Sequence, residues 1–366
     1  MPIIIVIYSI VLIYTVTYTF IITVYASKIS PRKNFSKIVK KELPGVSIII
    51  AAKDEVKNLS NLISSLQNIN YPADNFEVII VDDNSIDETF IKANELSDIL
   101  TNFRVVKPEF KSFEGKRGAL AFGISIASFP NILITDADCM PAKDWLVNCG
   151  NSINSGYDFI FGIAPFFQSN NLVNKVSCFE NFRNTFLSFS AANMGMAYTA
   201  SARNFGFRKV AFDEIGGYKN TTDTLSGDDN LLLREAIKNN LKIGPMTSAG
   251  SFVYSNTKDT FKEYFSQRAR HTQTSFHYLN KSKIFLALWH SLNIIFIPLL
   301  ILSIVNILFL LPFLVKIIFD LSTGLLFQKK LGYKFSIVEI VYLQILYEVF
   351  LVVHFFRAKF GKVSWK

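Results

Sequence analysis

Val46-Ser-Ile-Ile-Ile-Ala-Ala52 is a continuous apolar, β-branched run with no polar alternation to mark a wet side, so it reads as a strand buried on both faces. Phe76-Glu-Val-Ile-Ile-Val-Asp82 and Asn131-Ile-Leu-Ile-Thr-Asp136 repeat the pattern. Helical stretches alternate with these runs, near 56–68, 86–98, 115–127 and 143–154. This alternation predicts an α/β fold, a mostly parallel sheet with helices on both faces. Ligands of such sheets bind at the carboxyl ends of the strands, which is where chemistry is sought here.

Outward from the strands the composition changes. The chain has 366 residues, 50% of them hydrophobic and 18% charged, below the usual quarter for soluble domains. The apolar excess is concentrated. Ile3 to Tyr25 contains no charge, 284–319 contains only Lys316, and 335–356 contains only Glu339 and Glu348. A run of this length crosses a hydrocarbon core of about 30 Å as a helix rising about 1.5 Å per residue. The net charge of +9 is equally uneven. Lys28, Arg32, Lys33, Lys37, Lys40 and Lys41 follow the first apolar run, and residues 42–280 hold 22 basic and 26 acidic side chains. The folded block is therefore mildly acidic, which argues against nucleic acid as a partner. Basic flanks around apolar runs fit the positive-inside rule and put the block in the cytoplasm, with the N-terminus outside. No basic n-region or cleavage site marks a secretory signal. Cys139, Cys149 and Cys178 show neither disulfide nor zinc spacing, so reduced thiols are expected.

The expected organisation is an N-terminal transmembrane anchor (1–27), a basic juxtamembrane linker (28–43), a cytosolic domain (44–283) and a C-terminal region (284–366) of two or three transmembrane helices. Two crossings within 284–319, turning near Asn306, place Lys329, Lys330 and Lys334 inside and send the tail outside unless 335–356 is re-entrant. A single long crossing reverses both. Within the block, Leu172 to Ser190 reads as a helix with Phe179, Phe182, Phe186 and Phe189 on one stripe, packed on the domain core or lying in the membrane interface. A further helix, 259–278, leads into the second apolar run.

Three acidic groups fall at strand or helix ends. Asp82 and Asp83 close one strand; Asp, Asn and Ser there also suit a helix cap. Asp136-Ala-Asp138 closes another, and one intervening residue lets both carboxylates reach one hard cation such as Mg²⁺ or Mn²⁺. Asp228 and Asp229 open an amphipathic helix, either as favourable first-turn charges or with one serving as a general base in the cleft.

Together these residues resemble the membrane-bound family-2 glycosyltransferases of GT-A fold, a group that includes lipid glycosyltransferases and polysaccharide synthases. The resemblance covers roughly Pro44 to Tyr278 and extends to the flanking membrane segments. Val46 to Glu55 resembles the family's opening strand and turn, placing Ala52 and Glu55 near the nucleotide. Val81 to Asp87 is similar to its second-strand motif, which implies that Asp82 or Asp83 contacts the base. Gly115-Lys-Arg-Gly-Ala-Leu120 places Lys116 near the nucleotide, and Thr135-Asp-Ala-Asp138 matches the metal-binding D-x-D. Asn204-Phe-Gly-Phe-Arg-Lys209 resembles the acceptor-lining stretch, with Gly206 where Ala is usual. Asp228-Asp229 corresponds to the pair whose second member is the base. Gln267-Arg-Ala-Arg-His271 resembles Q-x-x-R-W, keeping Gln267 and Arg270 for the diphosphate but replacing Trp with His271.

The resemblance implies an inverting transferase using Mg²⁺ or Mn²⁺ to move a sugar from a nucleotide sugar, UDP-linked by expectation, to a lipid or lipid-linked glycan at the cytoplasmic membrane. Loss of the Trp tilts the reading toward single transfer; processive synthesis is the alternative. A membrane-tethered phosphotransferase using Asp136 and Asp138 is a rival enzyme class. A transporter using Lys316, Glu339 and Glu348 as a pathway is a rival of another kind.

Overall fold

The computed structural model describes residues 2–30, 43–98, 100–224 and 226–361. Residues 31–42 of the expected basic linker (28–43) and 362–366 at the end of the basic tail lie outside the described residues. In chain order the elements are α1 (Pro2–Ala26), β1 (Val46–Ala52), α2 (Leu59–Gln67), β2 (Phe76–Asp82), α3 (Thr89–Ser97), β3 (Phe103–Val106), α4 (Gly115–Ser125), β4 (Asn131–Ile134), β5 (Cys139–Pro141), α5 (Trp145–Asn154), β6 (Phe159–Gly162) and α6 (Leu172–Asn193). They continue with β7 (Phe205–Arg208), α7 (Lys209–Glu214), α8 (Asp228–Lys238), β8 (Ile243–Met246), β9 (Val253–Ser255), α9 (Phe261–Ser275), α10 (Asn280–Ile294), α11 (Phe296–Val305), α12 (Leu310–Phe327) and α13 (Ile337–Phe360). These elements sort into two compact units.

The first unit, 30–167 with 198–256, holds a seven-stranded sheet in the order β3-β2-β1-β4-β7-β6-β8. The β-branched runs pair in parallel at its centre, Ile50 opposite Ile80 and Ile48 opposite Leu133. Ile48 and Ile50 join a core with Leu59, Leu62 and Leu66 of α2 and Trp145 of α5. Ile49 faces the other way, toward α4, so both sheet faces are covered and the absence of alternation is explained. The sheet is not wholly parallel: β7 runs antiparallel to both β4 and β6. At Gly206 of β7 an added Cβ would sit 2.2 Å from Leu133 Cδ2 and 2.9 Å from the Ile132 carbonyl, which accounts for Gly in place of Ala. A two-stranded antiparallel ribbon, β5 with β9, pairs Cys139 with Ser255 just beyond β4.

The second unit gathers 1–29, 168–197 and 257–366. Ile4–Ala26, Ile307–Phe327 and Ile337–Phe360 are long and apolar enough to cross a membrane, and α10 with the following helix forms one more bent pair with an angle of 47°. The expected break at Asn306 is present, between α11 and a short 3₁₀ turn that opens α12.

α6 and α9 fall in this unit, whereas the sequence reading assigned both to the 44–283 domain. The reason is the aromatic stripe. Phe179, Phe182, Phe186 and Phe189 are all buried, and Phe186 lies 5.2 Å from Phe327 and Phe179 5.4 Å from Phe335, ring centre to ring centre. The charges inside the apolar runs are likewise engaged with one another. Lys316 pairs with Asp320 and with Glu348 (3.0 Å), and Arg183 of α6 pairs with Asp320 at 2.9 Å. Buried charges are tolerable only when paired in this way. Glu339 closes a capping box with Ser336 at the start of α13 and pairs with Lys175 at 2.8 Å. Structural roles thus account for the three charges that suggested a transport pathway.

Candidate active site

Beyond β4 the chain turns through Thr135 to Asp138 into β5. Oxygens of Asp136 and Asp138 and the Cys139 sulfur all lie within 4.8 Å of one another. Two carboxylates on a turn are hard donors that fit Mg²⁺ or Mn²⁺. The Cys139 thiol is buried and pushed well above its ordinary pKa, first by burial and then by Asp138 and Asp136. The two carboxylates supply the hard oxygen donors of the set. All three cysteines are free and buried.

Lys116, in the first turn of α4, donates to Asp136 Oδ1 at 2.5 Å. Burial alone would depress its ammonium, but Asp136, Asp228 and Asp229 together hold it above its usual value. These four side chains therefore form one electrostatic cluster, although they come from three elements far apart in sequence.

α8 contributes the remaining carboxylates. Gly227 precedes it at φ +82°, a left-handed conformation that glycine reaches without a Cβ penalty and that swings the chain into the helix. Asp228 is buried, with Arg117 3.6 Å from its Oδ1, and Arg117 also donates to the Thr224 carbonyl at 2.9 Å. Asp229 is half-buried, and both its oxygens accept backbone N–H bonds, Oδ2 from Ala202 and Oδ1 from Asn230, each at 2.7 Å. Burial and then the neighbouring Asp228 charge raise its pKa to about 6, against the opposing pull of Lys116. A carboxylate poised near neutrality suits proton abstraction.

The turns after β1 and β2 are zipped together. Asp83 N–H donates to the Ala52 carbonyl at 2.7 Å, Glu55 N–H to Thr89 Oγ1 at 2.7 Å, and Ile86 N–H to Asp54 Oδ1 at 2.9 Å. Asp82 and Asp83 are both buried here; Lys107 stands 3.3 Å from Asp82 Oδ2, and Lys111 pairs with Asp83. Neither Asp82 oxygen accepts a hydrogen bond among the described residues. The sequence reading missed Lys107, Lys111 and Arg117. A signal was available in the spacing of basic residues between β3 and α4, opposite the acidic strand end.

Gln267, Arg270 and His271 lie on α9 in the other unit, so that part of the expected constellation is not described together with the aspartates. Burial lowers the Arg270 pKa from its usual value. Between them, Arg268 was overlooked: its Nη2 lies 2.7 Å from Glu180 of α6, which also accepts from Tyr264. Burial works against the Glu180 charge, yet Arg268 foremost, with His354 and Tyr264, pulls its pKa down to about 2.

Residues 47–216 match the sequence family described as Glycosyl transferase family 2. Over 116 residues the chain is 34% identical to a beta-monoglucosyldiacylglycerol synthase of Nostoc, covering 32% of this chain and 25% of that protein. It is 26% identical over 188 residues to glycosyltransferase AglE of Haloferax volcanii, covering 51% of this chain and 59% of that one. The matched stretches thus span less than two thirds of either relative. Among solved structures, a Pyrobaculum calidifontis mannosyltransferase in complex with GDP-Man and Mn²⁺ superposes with a TM-score of 0.56 at 13% identity, covering 97% of this chain and 99% of that one. At that identity the likeness speaks for the GT-A-type fold.

Proposed function

Because residues 47–216 form a glycosyl transferase family 2 domain on a GT-A-type sheet, we propose that the chain transfers a sugar, with inversion, from a nucleotide sugar to a hydroxyl of a lipid or lipid-linked acceptor at the cytoplasmic face of a membrane. The observation that carries this reading is the single cluster of Asp136, Lys116, Asp228 and Asp229, in which a metal-type carboxylate pair neighbours a carboxylate with a pKa of about 6.

Asp136 and Asp138 would hold Mg²⁺ or Mn²⁺, which when bound supplies positive charge against the diphosphate. Lys116 adds a fixed cation on the same side, where negative charge grows as the bond from C1 to the diphosphate oxygen breaks. Asp229 takes the proton of the acceptor hydroxyl as its oxygen forms the new bond to C1 from the opposite face. Its two backbone N–H bonds hold the carboxylate in one orientation, so that it is aimed before substrate arrives. By resemblance, Asp82 or Asp83 is assigned to the nucleotide base, Ala52 and Glu55 to the nucleotide, and Gln267 and Arg270 to the leaving diphosphate. UDP is the assigned carrier, by resemblance. The helical unit, with three apolar helices of crossing length, supports a membrane setting for a lipid acceptor, as does the name of the Nostoc relative. His271 in place of the acceptor-stacking Trp favours single transfer over polymerisation.

The test is a screen of UDP-sugars and GDP-mannose against total lipid extract, with Mg²⁺ or Mn²⁺, read by product mass and by released nucleotide. One glycosyl unit added to a lipid with free nucleoside diphosphate supports the reading. Release of nucleoside monophosphate, or a ladder of polymer, overturns it.

A further inference from the structure

Arg203 stands just before the acceptor-side motif at Asn204, and its backbone neighbourhood is tied to both acidic elements. Ala202 N–H donates to Asp229 Oδ2 at 2.7 Å, and Thr135 Oγ1, one residue before Asp136, donates to the Arg203 carbonyl at 2.9 Å. Thr199 Oγ1 and Ala200 N–H both donate to Asn230 Oδ1 on α8, at 2.6 and 3.1 Å. The 199–203 segment is therefore pinned between the base and the carboxylate pair.

The side chain is held as firmly as the backbone. The guanidinium carbon lies 4.3 Å from the centre of the Phe166 ring, Nη1 donates to Ser255 Oγ at 2.7 Å, and Nε donates to Ser201 Oγ at 3.3 Å. Ser255 faces Cys139 across the β5–β9 ribbon, which puts the guanidinium beside the end of the D-x-D turn. Stacking and two neutral acceptors fix the plane of the group without neutralising it. Lys107, Lys111, Lys116 and Arg117 are each committed to a carboxylate, whereas no carboxylate lies within ion-pair distance of Arg203 among the described residues. The residue is half-buried, and N–H groups remain beyond the two that are engaged. A planar cation already immobilised loses little freedom on meeting an oxyanion, and its fork matches phosphate geometry.

We propose that Arg203 is an anion-recognition residue on the acceptor side, selecting a lipid acceptor that carries a phosphate close to the hydroxyl that is glycosylated. The assignment to the acceptor rests on the reading of Asp229 as base, to which the Arg203 segment is bonded through Ala202 N–H, while Thr135 beside Asp136 bonds the Arg203 carbonyl. The competing source of the same chemistry is the donor diphosphate. A neutral hydroxyl lipid such as diacylglycerol offers Arg203 nothing and is expected to bind more weakly.

The experiment uses the full chain in a non-ionic detergent, with Mn²⁺ and UDP present to fill the donor side. Dioleoylphosphatidylglycerol and dioleoylglycerol, which share acyl chains and a free hydroxyl but differ in the phosphate, are titrated by calorimetry. The wild type binds the phosphatidylglycerol more tightly, by roughly tenfold or more, the range of one charge-assisted contact. Arg203→Gln brings the two lipids to the same affinity and leaves UDP affinity within about twofold of wild type. Ser255→Ala, which frees the guanidinium without removing it, weakens only the phosphatidylglycerol, and this carries the test if Arg203→Gln melts early. A wild type indifferent to the phosphate, a preference that survives Arg203→Gln, or a loss that falls on UDP instead overturns the proposal. The base assignment is tested separately, by turnover of Asp229→Asn, so its failure is distinguishable from a failure of these titrations.

Discussion

Asp229→Asn tests the base directly, and the geometry supplies its magnitudes in two separate observables. In transfer, removing a general base lowers the rate by about 10²- to 10⁴-fold. With a pKa of about 6 in the folded protein, the wild-type kcat/KM should fall about tenfold per pH unit below that value and level off above it. In stability, the sign is opposite to that of a salt-bridged carboxylate. The folded-state pKa lies above the ordinary aspartate value of 3.8, so the native state holds its proton more tightly than the unfolded chain does. The resulting penalty is absent below about pH 3.8 and complete above about pH 6; a shift of about two units corresponds to about 3 kcal/mol, and about 1 kcal/mol of that accrues between pH 5 and 7. An Asn carries no such penalty, although its amide presents N–H to one of the two backbone donors that the carboxylate satisfied, at a cost of about 1–3 kcal/mol. The variant should therefore be nearly inactive and about as stable as wild type at pH 7.5. Its melting temperature relative to wild type should drop as the pH is lowered toward 5. The assays are nucleotide release across pH 5–8 and thermal melts in the same buffers. Transfer near the wild-type rate, or an acid limb that stays flat down to pH 5, refutes the assignment.

Asp138→Ala should bind nucleotide with no response to added Mn²⁺, measured by calorimetry with and without the ion; a retained response removes Asp138 from the metal site. Lys116→Met takes the cation from Asp136 and the donor side, and nucleotide affinity should fall roughly tenfold, about the worth of one charged hydrogen bond, whereas Lys116→Arg should recover part of it. Glu180→Ala leaves the half-buried Arg268 without its buried counter-charge, and for a fully buried pair such a loss costs about 3–5 kcal/mol, an upper bound here. A melting temperature within a degree of wild type would show that this pair contributes nothing to the helical unit.

The central strands were legible because a strand buried on both faces leaves an unmistakable mark, and Ile48, Ile49 and Ile50 are fully buried as that mark implies. β3, β6, β7 and β8 were not read: each is four residues, as β4 is, but Arg, Gly or Pro interrupts or ends the apolar run that marked β4. Four residues so interrupted hold too little pattern to tell a strand from a loop, and the antiparallel direction of β7 leaves no trace in its own residues. The acidic members of the site stood out for a local reason, since Asp136, Asp138, Asp228 and Asp229 each sit at an element end beside another carboxylate. Their partners did not. Lys107 and Lys111 meet Asp82 and Asp83 from beyond β3, and nothing near Arg203 in the chain announces Phe166 or Ser255.

α6 shows the division most clearly. Its length, its helical character and its aromatic stripe follow from residues 172–193 alone, because periodicity is a local property of the chain. Which partners the stripe meets is not local: Trp289, Phe319, Phe327 and Phe335 lie about a hundred residues or more away, and burial against them carried α6 out of the sheet domain and into the helical unit. The same holds for charge. That Lys316 and Glu348 interrupt apolar helices is visible in the letters, but that they neutralise each other depends on two helices lying side by side. Strand identity, membrane-length helices and acidic motifs were encoded over a few adjacent residues. Sheet direction, ion pairing and the raised pKa of Asp229 arose from groups brought together across the chain, where burial and Coulomb interactions act between elements whose separation in sequence says nothing of their separation in space.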